Sequence, residues 1–102
     1  MKIILPKDKI VEFCRRWKIT EFAIFGSALR DDFGPTSDVD VLVTFAFDAH
    51  WSLLNHVEMQ DELIALFNRK VDLVNRRGIE RSRNVIRRRD ILESAEIIYA
   101  AA

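Results

Sequence analysis

At 102 residues, 49% of them hydrophobic and 31% charged, the chain has material for one domain with one core and too little for two. Sixteen basic residues balance sixteen acidic ones, so net charge argues for neither a nucleic-acid nor a membrane partner, and direct contact with nucleic acid is not expected. Cys14 is the single cysteine, which excludes an intrachain disulfide and a cysteine-built zinc site.

No uncharged run approaches the roughly 18 residues that span a bilayer. The opening "MKIILPKDK" has too short an apolar run for a signal peptide. The expectation is a soluble cytoplasmic protein, with 1–102 forming a single domain. Charge is uneven along the chain: residues 1–67 carry seven Lys/Arg and eleven Asp/Glu, residues 68–102 nine and five. An acidic front and a basic rear suit steering of an anionic ligand, or two halves that face each other.

In chain order, Pro6 marks a helix start, where its missing N–H does no harm. Ile10, Phe13, Cys14 and Trp17 recur at helical spacing and predict one buried face, with Trp17 in the core. "TEFAIFG" reads as a short buried strand ending at Gly26. "SALRDD" opens a short helix with Ser27 as its N-cap, and "FGPTS" is turn chemistry. "DVDVLVTF" is a second strand, β-branched and nearly continuous in apolar character.

"DAHWSLLNHVEMQDELIALFNR" then reads as one long amphipathic helix; Phe45, Phe47 and Trp51 either close the core beneath it or in part form an apolar partner surface, with core closure favoured. His50 and His56 sit on or near it as ordinary polar residues. "KVDLVN" is a third strand. A helix is expected over about 80–94, followed either by its continuation or by an extended segment at "EIIYA", with Tyr99 packing near the end. The seven arginines from Arg76 to Arg89 read by default as a solvated face, the alternative being a surface that meets an acidic partner or holds RNA near it. Helices and strands that alternate in this way predict an α/β (α+β) domain with a small mixed β-sheet packed with helices.

The chemistry concentrates in three aspartates. Strand interiors rarely take Asp, yet Asp38 and Asp40 head an apolar strand and, two apart, point to one face. If "KVDLVN" pairs beside that strand, Asp72 joins them. Clustered carboxylates repel and resist desolvation, and a divalent cation relieves the conflict; an all-oxygen set suits Mg²⁺ or Mn²⁺. Two such ions about 3.5–4 Å apart clamp the attacking and leaving oxygens of a phosphoryl displacement. Gly26 and Ser27 supply the complement: a backbone that approaches a phosphate closely, then a helix N-terminus. Arg30, one turn on, reaches toward the same anion. The G-x-x-x-x-G-K-[ST] pattern of a P-loop is absent.

The order strand, Gly-Ser, ten residues, Asp-x-Asp in "FAIFGSALRDDFGPTSDVDVLV" resembles the DNA polymerase β-like nucleotidyltransferase superfamily. The short chain is similar to its minimal nucleotidyltransferase (MNT) branch, with "RKVDLVN" resembling the strand of the third carboxylate and "RNVIRRRDILESAEIIYA" the family tail. The resemblance implies a polymerase β-like fold and two Mg²⁺ ions on Asp38, Asp40 and Asp72 as catalytic residues. It implies ATP as donor, bound through Gly26, Ser27 and Arg30. It further implies a HEPN-family ribonuclease toxin as partner, held in a hetero-oligomer and neutralised by AMP transfer to its tyrosine. The run Gly-Ser-Ala-Leu-Arg departs from the family's frequent Gly-Ser-Arg-Ala and leaves Arg30 alone for the basic role. Two alternatives stand beside this reading: a non-catalytic antitoxin that acts by binding, and nucleotidyl transfer to a small molecule.

Overall fold

The computed structural model describes residues 5–26 and 37–101. The elements run α1 (Lys7–Arg16), β1 (Ile19–Phe25), β2 (Val39–Phe45), α2 (Leu53–Phe67), β3 (Val71–Asn75), α3 (Arg76–Glu80), α4 (Val85–Ser94) and β4 (Glu96–Ala100). Pro6 is the N-cap of α1, Asp8 lies in its first turn and Arg15 and Arg16 in its last, all three charges complementing the helix dipole. Ile10, Phe13 and Cys14 form its buried face. Lys18, at φ 55°, then turns the chain sharply into β1.

The four strands form one mixed sheet in the order β3-β2-β1-β4. β1 is antiparallel to both β2 and β4, while β3 runs parallel to β2 after the crossover through α2. Period-two alternation sorts the strand residues onto two faces. Phe22, Ile24, Val39, Val41 and Val43 pack with α1 and α2, around Phe13, Met59 and Leu63. Ala23, Phe25 and Leu42 pack against Ile79 of α3 and Ile91 of α4 on the opposite face. The sheet is thus buried on both sides, which is why β1 and β2 read as near-continuous apolar runs.

Three expectations are corrected. The long helix begins at Leu53 rather than near Asp48, because Ser52 and Asn55 close a capping box: the Asn55 N–H donates to Ser52 Oγ (3.2 Å) and the Ser52 N–H to Asn55 Oδ1 (3.0 Å). Asn68, in the left-handed region at φ 54°, ends it. Ahead of it, Phe45 is buried as expected, but Phe47 is 94% exposed. Trp51 sits at the surface edge of Trp17, ring centroids 5.1 Å apart and nearly perpendicular, with its Nε1 donating to the Trp17 carbonyl (2.9 Å).

The helix expected over about 80–94 starts later, as α4 (Val85–Ser94), and a further short helix, α3 (Arg76–Glu80), precedes it where none was expected. Asn75 caps the first by accepting from the Arg77 N–H (3.0 Å), and Asn84 caps the second by accepting from the Arg87 N–H (3.1 Å). The choice left open at "EIIYA" falls to the strand, since β4 supplies hydrogen-bond partners to the second edge of β1. The expected "SALRDD" helix lies outside the described residues.

Candidate active site

The aspartates are placed by the same alternation that builds the two cores. In β2, Val39 and Val41 point to the α1/α2 core, so Asp40 between them shares a face with Leu42, toward α3 and α4. In β3, Val71 and Leu73 take the α1/α2 side and Val74 the other, so Asp72 falls on the α3/α4 side as well. The parallel register pairs Asp40 directly with Asp72, on neighbouring strands about 4.8 Å apart. Each is the second residue of its strand, where the sheet meets solvent: Asp72 is exposed and Asp40 half-buried.

Asp38 lies one residue outside β2, exposed, two positions before Asp40. Its segment is tied down by the Val39 N–H, which donates to the Lys70 carbonyl (2.9 Å), and by Arg69 Nη1, which donates to the Ser37 carbonyl (3.4 Å).

Gly26 completes the described part of the site. Phe25 is the register partner of Asp40 across the β1–β2 pair, and Gly26 follows with φ +69°. A Cβ at Gly26 would stand 2.4 Å from Asp40 Oδ2. Only glycine meets both demands, the left-handed backbone and the close approach of a carboxylate. Gly26, Asp40 and Asp72 therefore come together at one end of the sheet, with Asp38 leading into it. Ser27 and Arg30 lie outside the described residues.

Among the described residues no three His, Cys, Asp or Glu side chains are gathered closely enough to cage a metal ion as they stand. The donor chemistry of the Asp40–Asp72 pair, hard carboxylate oxygens side by side, nonetheless fits Mg²⁺ or Mn²⁺ far better than a soft metal.

The sequence reading missed the contribution of α4. Between its inner face and the end of β1 runs a cleft of about 590 Å³, opening beside Gly26 and lined from α4 by Asn84, Ile86, Arg87, Asp90 and Ser94. The helical spacing of 84, 87, 91 and 94 was visible, but nothing local said that this face returns to Gly26. The arginine run is only partly a solvated face. Arg76 bridges Glu21 (3.0 Å) and Glu80 (3.7 Å), and Arg88 Nη1 donates to the Ser82 carbonyl (3.0 Å), while Arg77, Arg81, Arg83, Arg87 and Arg89 are exposed.

A mixed sheet with acidic strand heads in register beside a glycine turn is the framework of an enzyme that moves phosphoryl-linked groups. The family model described as a nucleotidyltransferase domain matches residues 7–98, and the chain belongs to that family. It is a nucleotidyltransferase with the polymerase β-like fold.

The chain is 37% identical over 79 residues to a provisionally named protein adenylyltransferase of Methanocaldococcus jannaschii, covering 78% of each. It is 36% identical over 69 residues to the protein adenylyltransferase MntA of Thermococcus cleftensis, covering 68% of each. Two solved structures share the fold. One is a toxin–antitoxin complex with AMP-PNP (TM-score 0.72, 20% identity, 95% of this chain and 75% of that one). The other is an MNT antitoxin in complex with a tri-AMPylated HEPN toxin of Shewanella oneidensis (TM-score 0.61, 18% identity, 93% and 70%).

Proposed function

We propose that this nucleotidyltransferase moves AMP from ATP onto the tyrosine hydroxyl of a HEPN ribonuclease toxin, and so serves as the toxin's cytoplasmic antitoxin. The observation that carries the reading is the register pairing of Asp40 with Asp72 against Gly26. Support for a protein acceptor comes from the adenylyltransferase names of the relatives and the AMPylated partner of the Shewanella antitoxin.

In this reading Asp38, Asp40 and Asp72 hold Mg²⁺, which when bound neutralises phosphate charge and favours ionisation of the attacking hydroxyl. Gly26 lets the triphosphate approach the main chain, with Ser27 and Arg30 as its further contacts. Asp72, the more exposed of the paired carboxylates, accepts the hydroxyl proton. The tyrosine oxygen then bonds to the α-phosphorus, and the bond to the bridging oxygen breaks with release of pyrophosphate. Incubation with ATP labelled at the α-phosphate, Mg²⁺ and the partner toxin should label a toxin tyrosine. Asp38→Ala/Asp40→Ala should reduce labelling by at least about a hundredfold. Equal labelling by that variant overturns the assignment.

A second reading has its own observation. Phe47, Leu53 (80% exposed) and Leu54 (75% exposed) leave an apolar surface at the start of α2, of the kind that marks protein–protein contact. Neutralisation by binding alone predicts that Asp38→Ala/Asp40→Ala still protects toxin-expressing cells, whereas AMP transfer predicts that protection is lost.

A further inference from the structure

We propose that the protein carries a second ligand site, at the end of the sheet opposite the carboxylates, which takes a nucleoside monophosphate: His50, His56 and Arg77 hold the phosphate and Trp51 stacks on the base. The inference stands apart from the nucleotidyltransferase reading and uses none of its residues. Asp40 and Asp72 are the second residues of their strands, whereas Phe45 ends β2 and Asn75 ends β3. Between those strand ends and the start of α2 lies a cavity of about 570 Å³, about 10–17 Å from the carboxylates along the strands. The carboxyl ends of parallel strands are where open α/β sheets leave a crevice for ligands.

The polar lining has one sign. His50 and Arg77 are exposed and His56 is half-buried. All three line the cavity, and among the described residues no carboxylate does. Among the described residues their side chains make no hydrogen bond or ion pair, whereas the neighbouring Arg76 is engaged by Glu21 and Glu80. Asn75 Oδ1 accepts from the Arg77 N–H (3.0 Å), so what its side chain offers a ligand is the NH₂ group, a donor. A guanidinium, two imidazoles and an amide without an anion fit a negatively charged ligand. Phosphate suits them better than carboxylate, because three terminal oxygens meet more of the four donors than two can.

A phosphate ion alone would fill little of the cavity, whose volume lies within the roughly 300–1,000 Å³ of small-ligand sites. Phe45 and Trp51 give it aromatic walls. Trp51 is fixed in advance: its Nε1 donates to the Trp17 carbonyl (2.9 Å) and its ring meets that of Trp17 nearly at right angles. The indole nonetheless stays 36% exposed. A ring already held in place loses little freedom when a base stacks on it. A planar base joined through a sugar to a phosphate satisfies both halves of the cavity.

The test is calorimetry with Mg²⁺ removed by EDTA, comparing AMP, inorganic phosphate and adenosine. Wild-type protein should bind AMP saturably, and at least about tenfold tighter than either fragment. Arg77→Ala should weaken AMP and phosphate by about tenfold and leave adenosine unchanged. Trp51→Leu should weaken AMP and adenosine by about tenfold and leave phosphate unchanged. Asp38→Ala/Asp40→Ala should bind AMP as wild type does. Circular dichroism and melting temperature report whether each variant folds. His50→Ala/His56→Ala, which should also weaken AMP and phosphate together, decides the case if Trp51→Leu loses stability with its hydrogen bond to Trp17.

Absence of saturable AMP binding by wild type overturns the proposal, as does binding that both Arg77→Ala and His50→Ala/His56→Ala leave unchanged. Binding that disappears instead in Asp38→Ala/Asp40→Ala belongs to the aspartates and overturns the second site. A protein that transfers no AMP to the toxin but binds AMP as described refutes the proposed function and leaves this site standing.

Discussion

At Gly26 two constraints coincide, a left-handed backbone and a carboxylate oxygen where a Cβ would stand. Gly26→Ala should therefore lower stability by about 1–3 kcal/mol and, by displacing Asp40, lower AMP transfer more than the stability loss explains. Urea unfolding and single-turnover labelling separate the two effects. Cys14 makes a different prediction. It is wholly buried, and burial pushes its thiol up from 9.0 to about 12. The native state thus holds the thiol neutral where the unfolded state ionises it. Its contribution to stability is complete below pH 9 and is lost as pH rises from 9 to 12, amounting to about 2 kcal/mol by pH 10.5. Unfolding free energies from urea titrations at pH 8 and 10.5 should differ by about that much more in wild type than in Cys14→Ala.

The aspartates were legible in sequence because their signal is local: Asp38 and Asp40 two apart, and Asp72 inside an apolar run, stand out against what strands ordinarily hold. Asp90 was not, since an Asp on a helix surface is ordinary until the fold brings it to a cleft beside Gly26.

Among the elements, the strands were read nearly to the residue because two-sided burial writes itself as continuous apolar sequence. The helix boundaries were less legible for two physical reasons. Trp51 fits the period of α2 but spends its indole on Trp17 and the Trp17 carbonyl, outside the helix. Arginines favour helix, so "RRGIERSRNVIRRR" conceals the break between α3 and α4, which is set by the cap at Asn84 and by Ser82 Oγ accepting from the Asn84 N–H (3.2 Å). Ser52→Ala, which removes the capping box of α2, should cost about 1 kcal/mol in chemical denaturation and leave nucleotide binding intact. β4 could not be read from its own five residues, because what fixes it is the unpaired edge of β1, a long-range demand.

Across the whole molecule, the two faces of the sheet are unequally stabilised. Among the described residues fifteen buried side chains form the α1/α2 core and five the α3/α4 core. The carboxylates open onto the lighter side. Amide hydrogen exchange should therefore show α3 and α4 opening at lower free energy than α1 and the central strands. Equal protection of both faces would contradict this division.

The parallel pairing of β2 with β3 also has a temporal consequence. Asp40 and Asp72 meet only after the crossover through α2 has docked, so a nascent chain emerging from the ribosome has no paired carboxylates until β3 is out and seated. On the proposed mechanism, chains that end within α2 and so lack Asp72 should transfer no AMP, and competence should appear only at the step that adds the edge strand β3.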